Sequence, residues 1–269
     1  MFLISSCTLP LFPDKERDLQ PYLEEGPLVG NDCFSINHLP AGIDGQMLLD
    51  HVTMIWKALH LWLAVPFPDD PVRILVFSPD EPEGKEFLLR SSSRHQTAGY
   101  YKHDSRVMVV TGAADDPEFL IVLRHEAAHA ALRHAFPQEL NIPFWLNEGV
   151  ASLFEQGVTP ELRPVADSER LAYILNMLEN NEKLDFPGLL ASPLKKIRSA
   201  RVYARSWGIV SCLYREKRSV KNYLNRLKEQ QEDSQELFRQ ILLEPGESVD
   251  DFEMNCSRRF LTENNRTEQ

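Results

Sequence analysis

The sequence predicts an α+β protein with a small mixed α/β part in its N-terminal half, a central pair of helices and a helical C-terminal lobe. Three observations predict this. The apolar runs Val72-Arg73-Ile74-Leu75-Val76-Phe77 and Arg106-Val107-Met108-Val109-Val110 have strand character, end at turn-forming residues, and both lie in the first half of the chain. Residues 117–157 read as two helices separated by a short connection. Beyond 157, strand signals fade and apolar residues recur at helical spacing. The expected division is a lead-in over 1–32, an α/β lobe with the central helices over 33–157, and a helical lobe over 158–269.

A chain of 269 residues can bury a substantial core, as one large domain or as two lobes around a cleft. A formal net charge of −11, with no basic run longer than Lys195-Lys196 or Arg258-Arg259, argues against a nucleic-acid or anionic-membrane surface. Cys7, Cys33, Cys212 and Cys256 lie far apart without a CxxC pair, so free buried thiols are the default expectation. Two disulfides are the alternative for an exported protein. The opening MFLISSCTLPLFPDK lacks a basic start and is broken by Pro10 and Pro13, which makes it a poor signal peptide or the tail of one. No apolar run approaches bilayer length, and a soluble, cytoplasmic protein is expected.

In order along the chain, residues 14–32 are polar, with Pro and Gly at intervals, and predict an irregular segment. A short strand follows at Cys33–Asn37. After the turn signals Gly42, Asp44 and Gly45, the spacing Leu48, Val52, Ile55, Leu59, Trp62 predicts a helix with a wide buried face, ended by Pro66 and Pro68. Residues 72–77 form a strand. Residues 79–98 read as a loop with one helical turn at Glu86–Arg90. Thr97–Tyr101 precedes the strand 106–110, which is expected at a free sheet edge where an extended peptide can add by main-chain hydrogen bonds. The first central helix is expected to be capped by Asp115 or Asp116, with Pro117 in its first turn, and to stop before Pro137. The second starts at Pro143 and ends at Gly157. Further helices are predicted from a cap at Ser168 and over about 201–215, 218–230, 234–243 and 248–262.

The first central helix carries His125-Glu126-Ala127-Ala128-His129. Positions i and i+4 share one helical face, so both imidazoles can reach one metal ion. The alanines at 127, 128, 130 and 131 leave a slim side for a neighbouring helix. Glu148 sits on the second helix, within Trp145-Leu146-Asn147-Glu148-Gly149. Glycine inside a helix costs about 1 kcal/mol relative to alanine, so Gly149 implies a close approach by another element. Two imidazoles and a carboxylate make a three-ligand site for one Zn2+ with a position left for water. Glu126, beside a ligand, is then the candidate general base.

HEAAH followed eighteen residues later by the Glu of WLNEGVA resembles the gluzincin metallopeptidases. The wider layout, Gly99-Tyr100 before the motif and Tyr203-Ala204-Arg205-Ser206-Trp207 after it, is most similar to the peptidase-MA-like domains of bacterial proteins. The resemblance implies a zincin-like fold, with His125, His129 and Glu148 as zinc ligands and Glu126 as catalytic base. It also implies Tyr203 as donor to a tetrahedral oxyanion, with Tyr100 and Tyr101 as rivals. Tyr203, Trp207, Val210 and Tyr214 equally fit an ordinary core stripe. Where the thermolysin branch has an acidic residue one turn after the third ligand, this chain has Ser152, which predicts weaker support for the metal; Glu155 lies a further turn away. His38, His51, His60, His95, His103 and His134 are not spaced to join the pair.

The expected activity is zinc-dependent peptide hydrolysis by an endopeptidase or oligopeptidase, since nothing resembles the segment by which the aminopeptidases read a free α-amine. The alternatives are a non-catalytic zinc-binding scaffold of the same fold and a zinc hydrolase of another amide or ester.

Overall fold

The computed structural model describes residues 16–24, 26–91, 98–102, 104–136, 142–191, 199–230 and 233–267. The opening apolar segment, Cys7, His95, His103 and the connection between the central helices lie outside these. The chain forms two compact units. One reaches Pro137 and resumes over Phe154–Val165; the other contains Gln138–Leu153 and Ala166–Gln269. Among the described residues no helix is long and apolar enough to cross a membrane.

The first unit is mixed α/β. Its strands β1 (Val29–Gly30), β2 (Phe34–His38), β3 (Val72–Phe77), β4 (Ala98–Lys102) and β5 (Val107–Thr111) form one sheet in the order β1-β2-β3-β5-β4. β2, β3 and β5 are parallel neighbours, and β1 and β4 add antiparallel on the outside. This corrects the expected edge. Residues 106–110 supply an interior strand, and β4 is the edge strand beside it. Parallel neighbours need a crossover, and α2 (Gly45–Leu63) and α3 (Pro82–Ser91) lie in the two connections.

Local chemistry sets the bounds of α2. The Asp44 carboxylate accepts from the amides of Gln46 and Met47, which satisfies two donors that the first turn leaves open. The helix closes at Ala64, whose φ of 57° is left-handed, before either expected proline is reached. Trp56 Nε1 then donates to the carbonyl of Pro66, 2.9 Å away, tying the segment after the helix back to it. The segment 79–98 holds more helix than expected, because α3 runs for ten residues.

Alternation along the strands sorts the sheet's two faces. Leu75, Phe77, Val107 and Val109 form one buried cluster, onto which Tyr100 and the side chains of Leu19, Tyr22 and Leu23 pack. Those last three come from α1 (Glu16–Glu24), a helix where the sequence predicted an irregular segment. Its polar composition and internal Pro21 hide it; its apolar stripe finds a partner only once the sheet exists. On the opposite face, Ile74, Val76, Met108 and Val110 are buried beneath α2 and α4 (Phe119–Ala135).

The second unit is helical. It contains most of α5 (Phe144–Phe154), then α6 (Ser168–Glu179), α7 (Phe186–Ala191), α8 (Ala200–Arg215), α9 (Val220–Gln230), α10 (Ser234–Leu237) continued by a π-helical turn, and α11 (Val249–Thr267). Asp167, not Ser168, caps α6 by accepting from the amide of Arg170. Aromatic rings build the core: Trp145 meets Phe238 at 5.5 Å and Tyr223 at 5.9 Å between centroids, and Phe252 joins Phe238 to Phe186. Cys212 on α8 and Cys256 on α11, both buried, are paired as a disulfide, which replaces the expectation of free thiols for these two; Cys33 is free.

Candidate functional site

α4 begins at Phe119, later than the sequence suggested. Its N-cap is Glu118, which makes no side-chain cap bond; Asp116 instead accepts from the Glu118 amide, 2.9 Å away. The helix packs on α2, β4 and β5, and Ala127, Ala128, Ala130 and Ala131 are all buried. These small side chains let backbone come close while the polar residues of the same helix keep their positions.

α5 is anchored on two sides within the helical unit. The carbonyl of Pro143 accepts from the amides of Leu146 and Asn147 and so opens the helix. Trp145 points into the aromatic core described above. A Cβ built on Gly149 would stand 2.3 Å from the Ser206 carbonyl oxygen and 2.5 Å from Val210 Cγ2. The glycine is therefore the point at which α8 crosses α5, the close approach that its cost inside a helix implied.

The ligand-capable atoms of His125, His129 and Glu148 all lie within 4.8 Å of one another. The two rings stand edge to face at 4.6 Å, with Nε2 of one 2.9 Å from Nε2 of the other. His125 Nδ1 lies 2.6 Å from Glu155 Oε1. An ionised carboxylate can only accept, so Nδ1 carries the proton and donates. In the neutral ring this proton leaves the lone pair on His125 Nε2, which lies 2.9 Å from His129 Nε2.

This donor set fits a zinc ion. A proton on His129 Nε2 satisfies the contact between the rings, and so does a cation faced by both lone pairs. Around the pair stand Glu126, Glu148 and Glu155, exposed by 2%, 1% and 1%. Two imidazoles and a carboxylate within reach of one another are a donor set that could hold a divalent ion.

The acidic partner of His125 is Glu155, which the sequence offered as the nearest acidic alternative, two turns beyond Glu148. Ser152, the expected position, is buried with its Oγ lacking a hydrogen-bond partner. Glu155 makes the contact instead. The signal was present: Glu148 and Glu155 are seven residues apart, which returns to the same helical face after two turns. Arg124 also belongs to this arrangement, because its guanidinium donates to the carbonyl of Glu155 at 3.1 Å.

β4 lies beside the candidate base. A Cβ on Gly99 would be 2.5 Å from Glu126 Cγ and 3.0 Å from Val122 Cγ1, so only glycine lets the edge strand's backbone come this close to the carboxylate. Tyr101 pairs in register with Met108 and shares Gly99's face, whereas Tyr100 pairs with Val109 and packs on the opposite face. Tyr100 therefore lies on the sheet face away from Gly99 and Tyr101. Burial raises both phenols to about 12, so each keeps its proton at neutral pH.

Tyr203 is buried on α8, its ring 5.8 Å from Phe144, one turn before Glu148 on α5. Among the other histidines, His38 contacts Glu81, His60 contacts the Val65 carbonyl and His134 lies against Trp56. A cavity of about 370 Å³ near the starts of α2 and α4, lined by Asp44, Met47, Asp115 and Phe119, contains none of the clustered residues. No protein-family model and no curated protein matches the chain.

Proposed function

We propose that this chain is a zinc-dependent metallopeptidase of gluzincin type with a zincin-like fold, in which His125, His129 and Glu148 hold one Zn2+ and Glu126 is the general base. The observation that carries the proposal is the gathering of two imidazoles and a carboxylate beside a buried Glu126 on the same helix. The donor set and its acidic surroundings suit zinc. When bound, the ion polarises a carbonyl and lowers the pKa of water.

Glu126 takes the proton of the attacking water and returns it to the departing amine. Gly99 keeps the strand close enough to exclude bulk water from one side of that carboxylate. Tyr203 donates to the oxyanion, with Tyr101 as the rival. The substrate is a peptide or protein segment in extended form. β4 is the outermost strand of the described sheet on that side, and the extended substrate lies along it in this reading.

The test joins metal analysis of the purified protein with cleavage of a peptide library, with and without chelator. Zinc at one ion per chain and chelator-sensitive cleavage are expected. Glu126→Gln should keep the zinc and lower turnover by about 10²–10⁴-fold, the usual contribution of a positioned base. Full activity in zinc-loaded Glu126→Gln removes the assigned base. Zinc binding without cleavage of any peptide favours a binding scaffold, and cleavage confined to non-peptide amides or esters changes the substrate class. A protein that takes up no zinc overturns the reading.

A further inference from the structure

We infer that Arg124 and Glu155 act as a positioning pair: Arg124 fixes the backbone of Glu155 so that its carboxylate holds the His125 ring in the ligand tautomer. The inference rests on the zinc reading above and adds what sets the affinity of that site.

Adjacent residues of α4 grip the two ends of one residue. Arg124 donates to the main-chain oxygen of Glu155, and His125 donates to its side chain. The gripped residue lies in the turn that closes α5, where the last carbonyls of a helix have no partner within it and carry negative partial charge. A guanidinium suits that place. Burial also lowers the pKa of Arg124, which is the cost of holding a cation there.

The turn is shaped around the arginine. Gly157 has a φ of 89°, and its amide donates to the carbonyl of Phe154 at 2.8 Å. The position its Cβ would take is 3.4 Å from Arg124 Cζ and Nε, so the guanidinium lies directly against the glycine. Glu155 is thus set by a cation on its carbonyl and a tight turn behind it. It stands two turns beyond Glu148 and still reaches His125, with Ser152 making no competing bond.

A carboxylate on the outer nitrogen of a ligand histidine fixes the ring's orientation and raises its basicity; losing such a partner typically costs 10–100-fold in metal affinity. Zinc affinity by competition with a chromogenic chelator is therefore the readout, with activity measured separately. Glu155→Gln keeps the shape and an acceptor oxygen but loses the charge, and should weaken zinc by about 10–100-fold. Arg124→Met keeps apolar bulk against Gly157 and loses the donors; it should weaken zinc in the same direction, and Arg124→Lys should recover part of the loss.

Because the arginine acts through the glutamate, the double variant should bind about as weakly as Glu155→Gln alone, an interaction that a double-mutant cycle measures. Affinity unchanged in both single variants, or losses that add in full, overturns the pair while leaving the zinc site standing. Wild-type protein without zinc overturns the site itself, so the two failures are distinct. If Arg124→Met does not fold, Arg124→Lys with Glu155→Gln completes the cycle.

Discussion

Tyr203 and Tyr101 are the two candidates for the proposed oxyanion donor, and they stand on different elements. Tyr101 shares its sheet face with Gly99, the residue in contact with Glu126, while Tyr203 stands on the helix that crosses α5 at Gly149. Removing one donor to an oxyanion typically costs 10²–10³-fold in kcat. Tyr203→Phe is expected to lower kcat by about that factor with KM little changed, because the bond strengthens as charge develops. Tyr101→Phe should leave kcat within a few fold. Steady-state kinetics on one cleavable peptide check both. The reverse pattern transfers the role to Tyr101; two unaffected variants leave Tyr203 as packing against Phe144.

At the scale of elements, the crossing of α5 and α8 makes opposite demands on residue 149. Alanine is a better helix former than glycine by about 1 kcal/mol. Its Cβ would meet a backbone oxygen at 2.3 Å, and backbone cannot swing aside as a side-chain tip can. Overpacking of this kind typically costs about 1–3 kcal/mol, so Gly149→Ala should be net destabilising by about 1–2 kcal/mol, read from the shift in a urea midpoint. A stabilised variant would mean that the two helices separate easily.

Local signals explain which elements were legible in the sequence. The strand character of residues 72–77 located β3 to the residue, and helical spacing put His125 and His129 on one face, while Glu148 came from its place on the following helix and from the resemblance. Sheet order did not follow, because which strand lies outermost is settled by pairing between distant segments. Hence β5 was mistaken for an edge. Glu155 was set back as two turns distant for a related reason: its distance was judged along α5 from Glu148, whereas its partner is on α4. The helix over Glu16–Glu24 needed the finished sheet to receive Leu19, Tyr22 and Leu23.

For the molecule as a whole, acid pH acts through opposing contributions. With a formal charge of −11, protonating carboxylates relieves repulsion between like charges. His51 works in the other direction. Burial holds its pKa below the ordinary 6.5, the positive charge of Arg124 adds to that, and Asp50 opposes it. Above about 6.5 the ring is neutral in folded and unfolded chains alike, and stability owes nothing to its titration. As pH falls below 6.5 the unfolded chain binds a proton that the folded one resists, so stability falls until the pH has passed the lowered folded pKa. His51→Gln lacks this loss while sharing almost all the remaining charges. The stability of wild type minus that of His51→Gln, compared at equal zinc, should therefore be flat above about pH 6.5 and decline below it. Urea unfolding at intervals from about pH 8 to 4.5 measures that difference. A difference constant over the whole range means that His51 takes up its proton as readily in the folded protein as in the unfolded chain.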